Sequence, residues 1–215
     1  MEKSDKTRRL FLPENMDGSK NEASINVWRE LADKLEQYSW FVGVAMMGSN
    51  IRGYNAESSD VDLKIFYDNS QISKTELSRT IAPYVREIEA THGFKPVQVT
   101  TPYLVGFNLA SIEKGLRDVD SRDNFNALLD IKDLSSLVVG EKIQVVRAKL
   151  KDLLSRIEDE QRTVILNKVT DYAIQEEKLS EPKLVQRLGL KPEQMDQFWN
   201  TRRVLWEKRI NTLWS

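Results

Sequence analysis

The chain has 215 residues, no cysteine, one histidine and a formal charge of -1 from 32 basic and 33 acidic side chains. Without cysteine there is no disulfide framework, no thiol nucleophile and no cysteine-containing zinc site, and a single imidazole excludes a histidine-rich metal centre. Any metal chemistry must use oxygen ligands, which suits Mg²⁺ or Mn²⁺ rather than zinc, copper or iron.

Hydrophobic residues at 40% are enough for a core, and the length fits one ordinary domain or two small ones. The nearly balanced charge gives no argument for a sequence-independent grip on nucleic acid or on an anionic membrane. The longest apolar run, residues 40–47, is too short to span a bilayer, and the N-terminus lacks the hydrophobic stretch of a secretory signal. The expectation is a cytoplasmic protein with no membrane partner.

Residues 1–23 are polar, carry Pro13 and Gly18, and read as an irregular leader whose apolar Leu10, Phe11 and Leu12 pack somewhere. Ser24 is a good N-cap, and Ile25, Trp28, Leu31, Ala32 and Leu35 recur at helical spacing, so a helix is expected to end near Tyr38. Residues 40–47 form an apolar run without helical period, bounded by Gly48 and Ser49, and read as a buried strand. A second strand is expected over 61–67, closed by Asp68, Asn69 and Ser70. Leu77, Ile81, Val85 and Ile88 predict a helix over 73–91, broken or kinked at Pro83. Residues 94–101 read as a third strand, with Pro96 favouring an edge position.

Short helices are expected over 109–116 and 124–129 around a polar linker, then a strand or extended segment over 131–139. After Gly140 the apolar positions Ile143, Val146, Leu150, Leu153, Leu154 and Ile157 predict a strong amphipathic helix, followed by another over 164–179 and a closing helix over 192–213. The expected fold is therefore a mixed-sheet α/β (α+β) domain over 24–139, followed by a helical C-terminal region over 140–215.

The chemistry concentrates in residues 48–63. Gly48 and Ser49 directly after a buried strand are small enough for backbone amides to approach an anion closely, the outline of a phosphate cradle. Asp60 and Asp62, two apart at the start of the next strand, fall on one face of the sheet and repel each other unless a cation sits between them. Ten residues separate Ser49 from Asp60.

This assembly resembles the nucleotidyltransferase superfamily typified by DNA polymerase beta. The likeness is clear over 40–67 and weak to 101, and Gly53 and Ser59 make it most similar to the small prokaryotic branch: minimal nucleotidyltransferases of toxin–antitoxin pairs and aminoglycoside nucleotidyltransferases. The resemblance implies Mg²⁺-dependent (or Mn²⁺-dependent) transfer of a nucleoside monophosphate from an NTP, ATP foremost, to a hydroxyl acceptor, with release of pyrophosphate. It implies Asp60 and Asp62 as metal ligands, and Gly48, Ser49, Arg52 and Ser59 as nucleotide-binding residues. The acceptor stays open between a protein side chain, a small molecule and an RNA end. Lys64, on the same face as the two aspartates, is expected near the nucleotide or in an ion pair that holds them in place.

One departure stands out. Active members of that family place a third carboxylate on the following central strand, and the best-aligned residue here is Gln98, which cannot take up a proton as a carboxylate does. Glu87, Glu89, Asp118, Asp120 and Asp123 are substitutes that spacing does not separate. The alternative reading is a catalytically weak or inactive nucleotide-binding module, antitoxin-like, on the same fold.

His92 beside Gly93 suits a helix C-terminus, where a partly positive imidazole complements the dipole. Trp199, Trp206 and Trp214, with Arg202, Arg203, Lys208 and Arg209, fit either a stacking surface for nucleic acid or a core-facing helix. The helical region as a whole fits a substrate-binding half, simple packing on the sheet, or a homodimer contact.

Overall fold

In the computed structural model of the chain, residues 22–46, 48, 62–92, 103–106, 109–117 and 122–214 are described. The chain opens with helix α1 (Glu22–Leu35) and strand β1 (Phe41–Met46), then β2 (Leu63–Tyr67), α2 (Lys74–His92) and β3 (Tyr103–Gly106). It continues through α3 (Leu109–Arg117), α4 (Arg122–Leu134) and the two-residue strand β4 (Val138–Val139). The remainder is helical: α5 (Glu141–Ser155), α6 (Asp159–Lys178), α7 (Glu181–Leu188), a 3₁₀ turn (Pro192–Gln194) and α8 (Met195–Asn211).

The four strands form one mixed sheet in the order β3-β2-β1-β4. β1 runs antiparallel to both β2 and β4, while β2 and β3 are parallel. A mixed α+β architecture is therefore present. Its strand inventory gains one strand that was not expected and loses one segment that was. The strand beside β2 is Tyr103–Gly106, whereas residues 93–102, including the expected strand over 94–101, lie outside the described residues. Residues 131–134, expected as strand or extended chain, are instead the last turn of α4.

Local chemistry explains several boundaries. Ser73 and Glu76 close a reciprocal capping box at the start of α2: the Glu76 amide donates to Ser73 Oγ at 3.3 Å, and the Ser73 amide donates to Glu76 Oε2 at 3.1 Å. α2 then runs through Pro83 as one element, so of the expected break or kink the break does not occur, with Leu77, Ile81 and Ile88 buried on either side of the proline. Asp68 folds the turn after β2 by accepting the Ser70 amide at 2.9 Å. Ser24 lies inside α1, which begins at Glu22, so it is not the N-cap.

The sheet divides the interior by its pleat. Val44, Met46, Leu63, Ile65 and Tyr67 pack with α1 and α2 through Trp28, Leu31, Leu77 and Ile88. Ala45 and Phe66, on the other face, join a larger core built from α3 to α8, including Ile112, Ile131, Ile143, Leu150, Val169 and Phe198. Gly43 lets α5 approach β1, since a Cβ there would lie 2.5 Å from Cβ of Ile143. Among the described residues, no helix is long and apolar enough to cross a membrane.

Candidate functional site

In the register of β1 and β2, Met46 faces Leu63. The end of one strand and the start of the next therefore share one edge of the sheet, and the segment joining them leaves and returns there. Gly48 and Asp62 are the described residues closest to that edge along the chain. They are also neighbours in space. Gly48 adopts φ +67, and a Cβ on it would overlap Oδ2 of Asp62 and lie 2.7 Å from its Cγ. Only glycine meets both requirements, because the left-handed backbone disfavours a side chain and the space for one is filled by the carboxylate. The Trp28 indole of α1 steadies the same point by donating to the Asp62 backbone carbonyl at 3.3 Å.

Ser49, Arg52, Ser59 and Asp60 fall outside the described residues, as does Gln98. The pair that the structure brings together is thus Gly48 with Asp62. Mg²⁺ or Mn²⁺ suits the chemistry at this edge, since the carboxylate of Asp62 is a hard oxygen donor only half buried at the head of β2. Among the described residues, no three His, Cys, Asp or Glu side chains come together as a metal cage.

Alternation along β2 puts Asp62, Lys64 and Phe66 on one face, and Phe66 belongs to the core that α4 helps build. The chain leaving α4 returns to the same edge: the Met46 amide donates to the Leu137 carbonyl at 2.9 Å, and Val138 then pairs with Ala45. α4 consequently reaches that face near its C-terminal end, where Ile131 and Leu134 share the core with Phe66.

What α4 places there is charge. Lys64, 8% exposed, donates to Oδ2 of Asp133, which is 1% exposed. Lys64 was expected near a nucleotide or in an ion pair that holds Asp60 and Asp62 in place; its ion-pair partner among the described residues is Asp133 of α4. Nζ of Lys132 lies 3.4 Å from Asp133 Oδ1 and bonds Glu176 of α6. Burial alone would lower the Lys132 ammonium, but Asp133 and Glu176 outweigh it and hold the group above its ordinary range. Lys64, Asp133, Lys132 and Glu176 therefore form an alternating chain of charges from β2 to α6.

Asp130 stands beside this chain. It is half buried, one turn before Asp133, and has no hydrogen bond or ion pair among the described residues. Burial raises its carboxyl to about 6, Asp133 adds to the rise, and Lys64 opposes it. The two cations and two anions of the chain already balance, so ionised Asp130 is surplus negative charge.

The other sequence candidates settle elsewhere. Glu87 pairs with Lys34 of α1 at 2.9 Å, and Glu89 shares its helix, α2, which packs on the opposite sheet face. Asp118 and Asp120 lie outside the described residues, and Asp123 falls in the first turn of α4. His92 ends α2, as expected, and its Nε2 lies 2.8 Å from Glu30 Oε2 on α1. Trp199 and Trp206 are buried, so α8 turns these rings into the core rather than offering them as a stacking surface. Asp130 and Asp133 were missed in the sequence. The signal was present in Leu128-Leu129-Asp130-Ile131-Lys132-Asp133-Leu134, where acids three apart interrupt an apolar helix.

In comparisons with known proteins, no family model matches the chain, and no curated protein and no solved structure matches it either.

Proposed function

We propose that the chain is a nucleotidyltransferase, transferring a nucleoside monophosphate from an NTP, ATP foremost, to a hydroxyl acceptor with loss of pyrophosphate. The observation that carries this reading is the seat of Asp62 against the left-handed backbone of Gly48, at the edge where β1 hands over to β2. A left-handed glycine abutting a carboxylate leaves room for close backbone approach beside a hard oxygen donor, which a metal-bound phosphate would use. Asp62, with Asp60, would hold Mg²⁺, which supplies charge neutralisation for the triphosphate. Ser49, Arg52 and Ser59 are the proposed contacts to the phosphates. The acceptor class stays among a protein, a small molecule and an RNA end.

A second reading, nucleotide binding with little transfer, has its own support. β3, the strand beside β2, consists of Tyr103, Leu104, Val105 and Gly106 and carries no carboxylate. Calorimetry with Mg²⁺ and each NTP, followed by an assay for pyrophosphate, separates the readings. Transfer requires both binding and release. Activity that survives Asp60→Ala and Asp62→Ala together would refute the proposed site.

A further inference from the structure

Trp28 is 1% exposed, so its indole N–H has left water and needs an acceptor inside the protein. The acceptor it takes lies far along the chain. α1 packs on the sheet face that carries Met46, Leu63 and Ile65, and from there Nε1 of Trp28 donates to the backbone carbonyl of Asp62 at 3.3 Å. Among the described residues, the ladder to β1 begins with Leu63 facing Met46, and the ladder to β3 with Lys64 facing Tyr103. Asp62 stands just ahead of both, where the indole adds a bond from a third element.

The two ends of Asp62 are therefore held by different parts of the chain. Its carboxylate occupies the space that a Cβ on Gly48 would need, and its carbonyl is turned towards α1 by Trp28. The peptide unit is planar, so the direction of that carbonyl is set by ψ of Asp62, and changing ψ swings the carbonyl against the Cα–Cβ bond. Holding the carbonyl thus fixes the angle at which the carboxylate leaves the backbone. A metal-ligating carboxylate must be held to within about 0.5 Å and 10–20°, by neighbours whose own conformations are locked. Trp28 meets that requirement, because a bicyclic ring buried in one core with Leu31, Met46 and Leu63 has little freedom to turn.

We propose that Trp28 is a positioning residue for Asp62, so that α1 sets the aim of the metal ligand through one indole hydrogen bond. This rests on reading the Gly48–Asp62 edge as a nucleotidyl-transfer site. Trp28 touches neither metal nor substrate in this role; it acts through the backbone of the residue that does. The other tryptophans are internal controls. Trp40 is buried in the same core, but it precedes β1 and its carbonyl accepts the Asp68 amide at 2.8 Å, at the far end of the strand pair from Met46 and Leu63. Trp199 and Trp206 belong to the core on the other face of the sheet.

The test uses the full chain, Mg²⁺ and the non-hydrolysable ATP analogue with a methylene between its α- and β-phosphates. Nitrogen-15-labelled wild type gives one indole N–H signal for each of its five tryptophans, assigned by replacing them in turn. Adding Mg²⁺ and the analogue together should shift the Trp28 signal and leave those of Trp40, Trp199 and Trp206 in place. Benzothienylalanine at position 28, nearly isosteric with tryptophan but with sulfur where the N–H was, deletes the donor and keeps the packing. That variant should bind Mg²⁺ and the analogue about 10-fold more weakly by calorimetry, the loss expected when a bond that orients a metal ligand is removed. The same replacement at Trp40 should bind within about twofold of wild type, as an independent site does. A Trp28 signal that stays put in a wild type that binds, or equal affinity in the position-28 variant, overturns the positioning role and leaves the binding edge standing. An equal loss at Trp40 also overturns it, because the effect then belongs to the core as a whole. Wild type that binds neither Mg²⁺ nor the analogue overturns the reading of the Gly48–Asp62 edge, and the proposal with it.

Discussion

Glu177 of α6 and Arg202 of α8 offer the sharpest test of how the helical half is held together. Both are fully buried at 0% exposure. Arg202 Nε donates to Oε2 at 2.8 Å and Nη2 to Oε1 at 2.6 Å, while the Trp206 indole donates to Oε1 at 2.7 Å. The planar fork of guanidinium meets the planar carboxylate with a donor to spare, a geometry that lysine would not reproduce. Glu177→Gln removes the negative charge and turns an amide NH₂ towards groups that already donate. What remains is a buried guanidinium that has lost the Glu177 charge, and breaking such a pair costs about 3–5 kcal/mol. Against a total stability of about 5–15 kcal/mol, and at roughly 2–4 °C of melting temperature per kcal/mol for a chain of this size, the melting point should fall by about 10 °C. Thermal unfolding followed by far-UV circular dichroism measures it, and urea unfolding should show the midpoint moving with the slope unchanged.

The matching double variant, Glu177→Leu with Arg202→Met, should lie within about 2 kcal/mol of wild type, because removing both charges removes the desolvation penalty together with the attraction. Its main deficit is the Trp206 indole left without that acceptor, worth about 1 kcal/mol. A loss below about 1 kcal/mol in the single variant, or a double variant less stable than the single, would refute this account of the pair.

Three further outcomes follow from the sheet edge and its cover. Gly48→Ala must strain a backbone at φ +67 and displace the Asp62 carboxylate, so it should lower stability by about 1–3 kcal/mol and weaken binding of Mg²⁺-ATP, measured by urea unfolding and calorimetry; unchanged binding would contradict the contact. Lys64→Met leaves Asp133 buried without its Nζ partner and should cost about 3 kcal/mol at pH 7. Because Lys64 is the group that lowers the Asp130 carboxyl, the same variant should move the Asp130 NMR midpoint upward, and a fixed midpoint would show that the two do not interact. For Asp130 the sign runs opposite to the usual carboxylate: the folded chain keeps the proton from the ordinary 3.8 up to about 6, so stability falls as pH rises through that window. The penalty above it is about 3 kcal/mol, from two units at about 1.4 each. Asp130→Asn should therefore be more stable than wild type by up to that amount at pH 8 and indistinguishable from it at pH 3.5, and an equal difference at both pH values would contradict the burial argument.

What the sequence revealed and what it hid follow from the range of the interactions involved. β1 and β2 were legible because a run such as Phe41–Met46 has no helical period and is bounded by turn residues, both local properties. The abutment of Gly48 on Asp62 was foreshadowed by the glycine after one strand and the acid before the next. β3 was not legible, since Tyr103–Gly106 is four residues long, follows a proline and gains its identity by pairing with Lys64 to Tyr67. The last turn of α4 was hidden for a related reason. Lys132, Asp133, Ser135 and Ser136 look like a solvent-facing stretch, yet all four are buried. Their burial depends on Lys64, 69 positions away from Asp133, and on Glu176 beyond them. A local pattern cannot announce a charge whose partner arrives from another element.

Two buried charge clusters among the described residues are built to different standards. At Glu177 both carboxylate oxygens accept, so the cluster gains specificity for one packing of α6 on α8 while leaving that carboxylate satisfied. Beneath Asp62 the chain of Lys64, Asp133, Lys132 and Glu176 balances in charge but not in hydrogen bonds: Asp133 Oδ1 is enclosed without one, and Asp130 adds a carboxyl that nothing described neutralises. Leucine or methionine at Lys64 and Asp133 would fill comparable space with less desolvation. A fold selected for stability alone would not keep an under-satisfied cluster on the one sheet face that also carries the Gly48–Asp62 contact. Its place there is explained if the Lys64–Asp133 pair fixes the strand that follows Asp62 against the helix that carries Asp130, specificity of packing gained at a cost in stability.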